Sequence, residues 1–111
     1  RGGVEGGRLA MRGAITRGRG INRVASASTL ILPQGCNVIH VTGTTTITSI
    51  QKNGYTDKLV TLIFDGDLTV TRGSNLILNQ SLGNFVTTAN DTLTLANDGM
   101  GNWYEVYRSA N

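Results

Sequence analysis

Large aromatic side chains are scarce in this 111-residue chain: one Trp, two Phe and three Tyr. A small β-rich body with so few of them has a thin core and is a marginal monomer. Cysteine occurs once, at Cys36. No intrachain disulfide can therefore form, which excludes the disulfide-stapled class of small domains. Cys36 reads as a small residue beside the turn Pro33-Gln34-Gly35. Histidine also occurs once, at His40. Without a second His or a Cys cluster at ligand spacing, a metal site has no partner set. His40 alternates with Val38 and Thr42 and is expected in the core or at an assembly axis. No apolar run approaches the ~18 residues of a membrane span, so membrane insertion is not expected. No signal peptide is legible, and a start without Met suits a fragment or a processed product. Neither a Gly-x-Ser-x-Gly elbow nor a phosphate-binding P-loop is present, and no cofactor is expected.

Charge is plentiful only at one end. Up to Arg23 there are six arginines against one acid, Glu5. Beyond it, Lys52, Lys58, Arg72 and Arg108 face six acids. The net charge of +3 thus belongs to the N-terminal segment and not to a basic face of the body. Residues 1–24 are read as a Gly/Arg-rich connector arm, too poor in apolar groups to order alone. An RNA-binding arm would carry repeated Arg-Gly-Gly units with Phe or Tyr between them for stacking. Here one strict Arg-Gly-Gly occurs and no aromatic precedes Tyr55. Nucleic acid is therefore not an expected partner.

From residue 25 to 111 the texture changes to Thr, Val, Ile, Leu and Asn in period-2 alternation. "NVIHVTGTTTITSI", "KLVTLIF", "DLTVT", "NLILN", "DTLTLA" and "NWYEVY" are β-branched or aromatic runs that suit a pleated, half-buried surface. Turn signals separate them, among them "PQG", "KNGYTD", "RGSN", "SLG" and "NDGMG". No stretch has the spacing of an amphipathic helix. The expectation is an all-β module of short strands, either β-prism/β-helix-like or a β-sandwich. "LIFDGDLTV" can be a tight hairpin or a corner between stacked strands. Ile47, Ile50, Val60, Leu62, Phe64, Val70, Leu76 and Leu78 are the expected core.

Two groups of residues invite a chemical reading. Asp65 and Asp67 lie two apart and would share one face of an extended strand, as a glycosidase pair or a metal site would. Gly66 between them favours plain turn chemistry, and no partner acid is singled out. The second group is "NWYEVY". On a regular strand Trp103, Glu105 and Tyr107 share one face and Tyr104 and Val106 the other. An aromatic platform beside polar and acidic groups suits a sugar, which has an apolar face and a ring of hydroxyls. Trp103, Tyr104, Glu105 and Tyr107 are therefore the candidate glycan contacts, with Asn102 and Arg108 beside them. The competing reading has Trp103 closing the end of the core.

The ordered blocks "ASASTLILPQGCNVIHVTGTTTITSI", "VTLIFDGDLTVTRGSNLILN" and "NFVTTANDTLTLANDGMGNWYEVYRSAN" resemble the C-terminal region of bacteriophage tail fibres and tailspikes, where such segments often follow a pectate-lyase-like β-helix. The resemblance spans residues 25–111. It implies a homotrimeric, non-enzymatic distal module of a virion, assembled in the bacterial cytoplasm. It implies trimerisation and receptor binding at a host-surface glycan. The arm would then join the upstream part of the same fibre or another virion protein. It supplies no catalytic residue. Three other readings stand beside it: an RNA-binding β domain, a glycan-degrading tailspike domain, and a capsid decoration or head-fibre protein.

Overall fold

The computed structural model describes residues 22–111. It is all-β: among these residues there is no helix. Among the described residues ten strands follow one another: β1 (Arg23–Ala25), β2 (Thr29–Leu30), β3 (Val38–Thr42), β4 (Ser49–Ile50), β5 (Lys58–Phe64), β6 (Thr69–Val70), β7 (Leu76–Ile77), β8 (Phe85–Val86), β9 (Thr92–Asn97) and β10 (Trp103–Ser109). The arm expected over residues 1–24 lies outside the described residues as far as residue 21. Its last two residues, Arg23 and Val24, belong to β1.

The first half of the body winds in parallel turns. Arg23 of β1 lies beside His40 of β3, and His40 lies beside Ile63 of β5, all parallel. After each pass the chain turns a corner and lays down a second, shorter segment. β2 stacks parallel on β4, and Ile47 bridges in parallel to Val70 beside them. The corner of "LIFDGDLTV" is thus a bend between stacked segments, because β5 pairs with β3 and β9 and not with β6. Asp65 and Asp67 flank that bend. The second half reverses direction. β8 runs antiparallel to β6, β9 antiparallel to β5, and β10 folds back on β9. The result is one mixed six-stranded sheet in the order β1-β3-β5-β9-β10-β7, curled over two shorter ribbons.

Period-2 alternation decides which side chains the sheet buries. On β5 Val60, Leu62 and Phe64 point inward; on β9 Leu93 and Leu95 do. Leu30, Ile47, Ile50 and Val70 meet them from the opposite ribbons. All eight residues expected in the core are buried. The few aromatics are used as plugs. Phe64 and Phe85 meet edge to face at 5.9 Å, and Tyr55 and Trp103 at 5.2 Å, a geometry that adds to plain burial. Close packing of the turns also dictates Gly73. A side chain there would run into the carbonyl oxygen of Thr48 in the turn beneath.

Tyr55 does more than fill space. Its hydroxyl accepts from the Leu32 N–H at 2.8 Å and donates to the Leu32 carbonyl at 3.1 Å. Burial raises its pKa, partly offset by the Leu32 N–H. One side chain from the loop between β4 and β5 thus satisfies both backbone groups of a buried residue after β2. Tyr55→Phe keeps the ring and strands both groups, so a loss of about 1–3 kcal/mol is expected in urea unfolding. An unchanged midpoint would show that Leu32 finds other partners.

Candidate functional site: the outer face of the sheet and its C-terminal strand

The outward side chains of the sheet form three rows. Arg23, His40, Ile63, Thr92 and Ser109 make the first. Val38, Thr61, Thr94 and Tyr107 make the second, and Leu59, Ala96 and Tyr104 the third. The two central strands, β5 and β9, present Leu59, Thr61, Ile63, Thr92, Thr94 and Ala96, and none of these carries a charge. Thr61 and Thr94 bond to each other through their hydroxyls at 2.9 Å. Their hydrogen-bonding capacity is partly used within the sheet, so the face is less polar than its threonines suggest.

A bulge on β10 decides which of the expected glycan contacts reach this face. Thr94 pairs with Tyr107 and Leu95 with Glu105, so Val106 is an extra residue with no partner. An extra residue reverses the phase of everything beyond it. Trp103 and Glu105 before the bulge point inward, and Arg108 after it also points inward. Tyr104 and Tyr107 consequently share the outer face, which corrects the grouping of Tyr107 with Trp103 and Glu105.

Two of the four expected contacts are withdrawn from solvent. Trp103 is 0% exposed and offers no ring face to a sugar. It closes the end of the core, as its competing reading held. The Glu105 side chain is 2% exposed and already engaged. Its Oε2 accepts from Arg108 Nε at 2.7 Å, and its Oε1 accepts from Arg108 Nη2 at 2.8 Å and from the Asn79 N–H at 2.7 Å. Arg108 goes on to donate to the carbonyls of Gly83 and Asn84, and its guanidinium lies 4.8 Å from the Phe85 ring centre. Glu105 and Arg108 therefore clamp the loop before β8 onto β10. Burial acts to raise the Glu105 pKa. The hydrogen bonds from Arg108 and Asn79 and the Arg108 charge outweigh it, and the carboxyl is held below its ordinary value.

Tyr104 and Tyr107 remain in reach, 42% and 65% exposed. The Tyr104 hydroxyl donates to Asp98 Oδ2 at 3.3 Å, which steadies the ring. Asp98 also accepts from the Asn102 side chain and from the N–H groups of Met100 and Asn102, tying the β9–β10 turn. Those bonds, the Asn102 side chain foremost, hold its pKa below the usual carboxylate range. Asn102 is thus a turn brace, and Arg108 a clamp.

His40 is not a core residue. It sits on the outer face, 36% exposed, with Nδ1 at 2.8 Å from Asp65 Oδ1. The reason is phase: Ile39 and Val41 take the inward positions of β3. Asp65 is engaged by His40, and no set of three His, Cys, Asp or Glu side chains converges among the described residues. Cys36 is half-buried just after the Gln34–Gly35 turn and packs against the core. The sequence missed the outer neighbours Val38, Leu59 and Ala96. The alternation of β5 and β9 carried that signal, but only the strand order shows that these residues lie side by side.

The chain matches no family model, no curated protein and no solved structure.

Proposed function

We propose that this chain is a non-enzymatic module of a phage tail fibre or tailspike, which trimerises and takes part in attachment to a glycan-bearing host surface. The observation that carries this reading is the outer sheet face: uncharged across β5 and β9, and rimmed by two exposed tyrosines. Around a three-fold axis an uncharged face packs beside its neighbours without like-charge repulsion, and a thin core gains from the extra burial. The order of sequence blocks supports the same reading, since it resembles fibre and tailspike C-terminal regions. In this assembly β3, β5 and β9 face the neighbouring copies. β10 lies towards the margin, where Tyr104 and Tyr107 are placed to stack on sugar. Three copies turn weak single-site contacts into avidity. The arm links the module to the upstream fibre or to another virion protein.

Sedimentation at micromolar concentration tests the assembly. A mass three times the 11.8 kDa of the chain is expected. Leu59→Glu, at an exposed position, should reduce it to a single chain without unfolding. A wild-type protein that sediments as one chain would overturn the reading. Binding of the labelled protein to purified bacterial surface polysaccharides tests the rim. Tyr107→Ala should keep the trimer mass and lose most of the binding. Undiminished binding would move the contact to the loops at 53–57 and 72–75. Salt-dependent RNA binding or polysaccharide cleavage by the wild-type protein would favour the nucleic-acid or enzyme alternatives instead.

A further inference from the structure

The loop between β4 and β5 holds the single Asn-Gly step of the sequence, Asn53-Gly54. Both residues are exposed. Among the described residues, the Asn53 side chain takes part in no hydrogen bond, and neither does the Gly54 N–H. Gly54 has φ 94°, and the nearest atom to a side chain built there would be the Gln34 amide nitrogen at 3.6 Å. Every other asparagine that is followed by a residue precedes one with a side chain. The two Asp-Gly steps are restrained. Asp65 is bonded to His40, and Asp98 accepts four hydrogen bonds.

We propose that Asn53 is a site of spontaneous deamidation and isomerisation that loosens the hold of Tyr55 on the core. The deprotonated Gly54 nitrogen attacks Asn53 Cγ. The bond from Cγ to the side-chain nitrogen breaks, and that nitrogen leaves as ammonia with the proton given up by Gly54. The five-membered succinimide so formed is opened by water at either carbonyl. Opening at one gives aspartate. Opening at the other gives isoaspartate, in which the main chain runs through Cβ. No electron transfer is involved, and water is the only co-reactant. A glycine next in line removes the Cβ that would obstruct the attack, and the exposed turn leaves both groups free to approach.

The consequence follows from position. Tyr55 is the second residue after Asn53, and it alone holds both backbone groups of Leu32. Isoaspartate adds a main-chain atom just before that anchor, and either product adds a negative charge to the loop. The aged protein therefore melts at a lower temperature than fresh protein.

The test uses the intact chain, aged in mildly alkaline buffer at physiological temperature. Trypsin cuts after Lys52 and Lys58, so the peptide 53–58 reports Asn53 by mass, and isoaspartyl methyltransferase counts the isomerised product. Conversion at Asn53 should outrun conversion at every other asparagine, and Asn53→Gln should lose most of the methyl acceptance. Wild-type protein should lose melting temperature on ageing, while Asn53→Gln aged alongside should hold it. Conversion no faster than at Asn79 or Asn84 would overturn the site. Conversion with unchanged melting would overturn the link to Tyr55.

Discussion

Trp103→Ala is expected to cost about 3–5 kcal/mol, enough to leave much of a small domain unfolded. Trp103 has the largest fully buried side chain, and it sits where β10 meets β9 on one side and β7 on the other. Its removal takes away the edge contact with Tyr55, which in turn holds Leu32. Trp103→Phe separates this role from any need for the indole. The indole Nε1 is buried and has no hydrogen-bond partner among the described residues. Losing it removes an unsatisfied donor, which offsets part of the smaller cavity that phenylalanine leaves. A cost of no more than about 2 kcal/mol is expected for Phe, against the larger loss for Ala. Equal losses for the two would show that the indole N–H has a partner. A folded Trp103→Ala variant with wild-type melting would show that the end of the core does not need closing.

Arg108→Ala is expected to cost a similar amount, about 3–5 kcal/mol, because it leaves the Glu105 carboxylate buried without its cation. The Arg108 side chain is itself only 13% exposed, so water does not replace it readily. Replacing both members, Glu105→Gln with Arg108→Met, should recover much of the loss. The direction of the Glu105 shift also sets a pH signature. The folded state holds this carboxyl more acidic than the unfolded chain does, so its stabilisation is fully present above the unfolded value of about 4.3. It is lost as pH falls through the depressed folded value. Asp91 and Asp98 are shifted the same way, Asp91 chiefly by the Thr88 N–H, and contribute to the same acid limb. Glu105→Gln should therefore flatten, and not abolish, the fall in melting temperature below pH 4–5. An acid limb of unchanged slope would mean that Glu105 does not titrate with unfolding.

The strands and their buried faces were legible because alternation is a local property. "KLVTLIF" and "DTLTLA" state their own inward residues, whatever they pair with. Strand order was not legible. Nothing in "KLVTLIF" says that it lies parallel to "NVIHVT" and antiparallel to "TLTLAN". The expected glycan contacts were hidden by a subtler limit. "WYEVY" reads as unbroken alternation, with no glycine to mark a bulge at Val106. One unpaired residue moved Tyr107 to the side of Tyr104 and turned Arg108 inward to meet Glu105. His40 shows the reverse case. It does alternate with Val38 and Thr42, but the trio occupies the wet side of the sheet.

The reversal of chain direction between β7 and β8 has a consequence for biosynthesis. β5 has an earlier neighbour, β3, on one side and a later one, β9, on the other, and β6, β7 and β8 come between β5 and β9 in the chain. On an emerging chain β3 is available at once, but β9 is complete only when Asn97 has left the ribosome. Until then Leu59 to Phe64 form an open edge with no charge within it, a template that another nascent chain can extend. Lys58 before the run and Asp65 after it are the charges that stand guard at its two ends. Copies made side by side on one message would meet this hazard before β9 closed the edge.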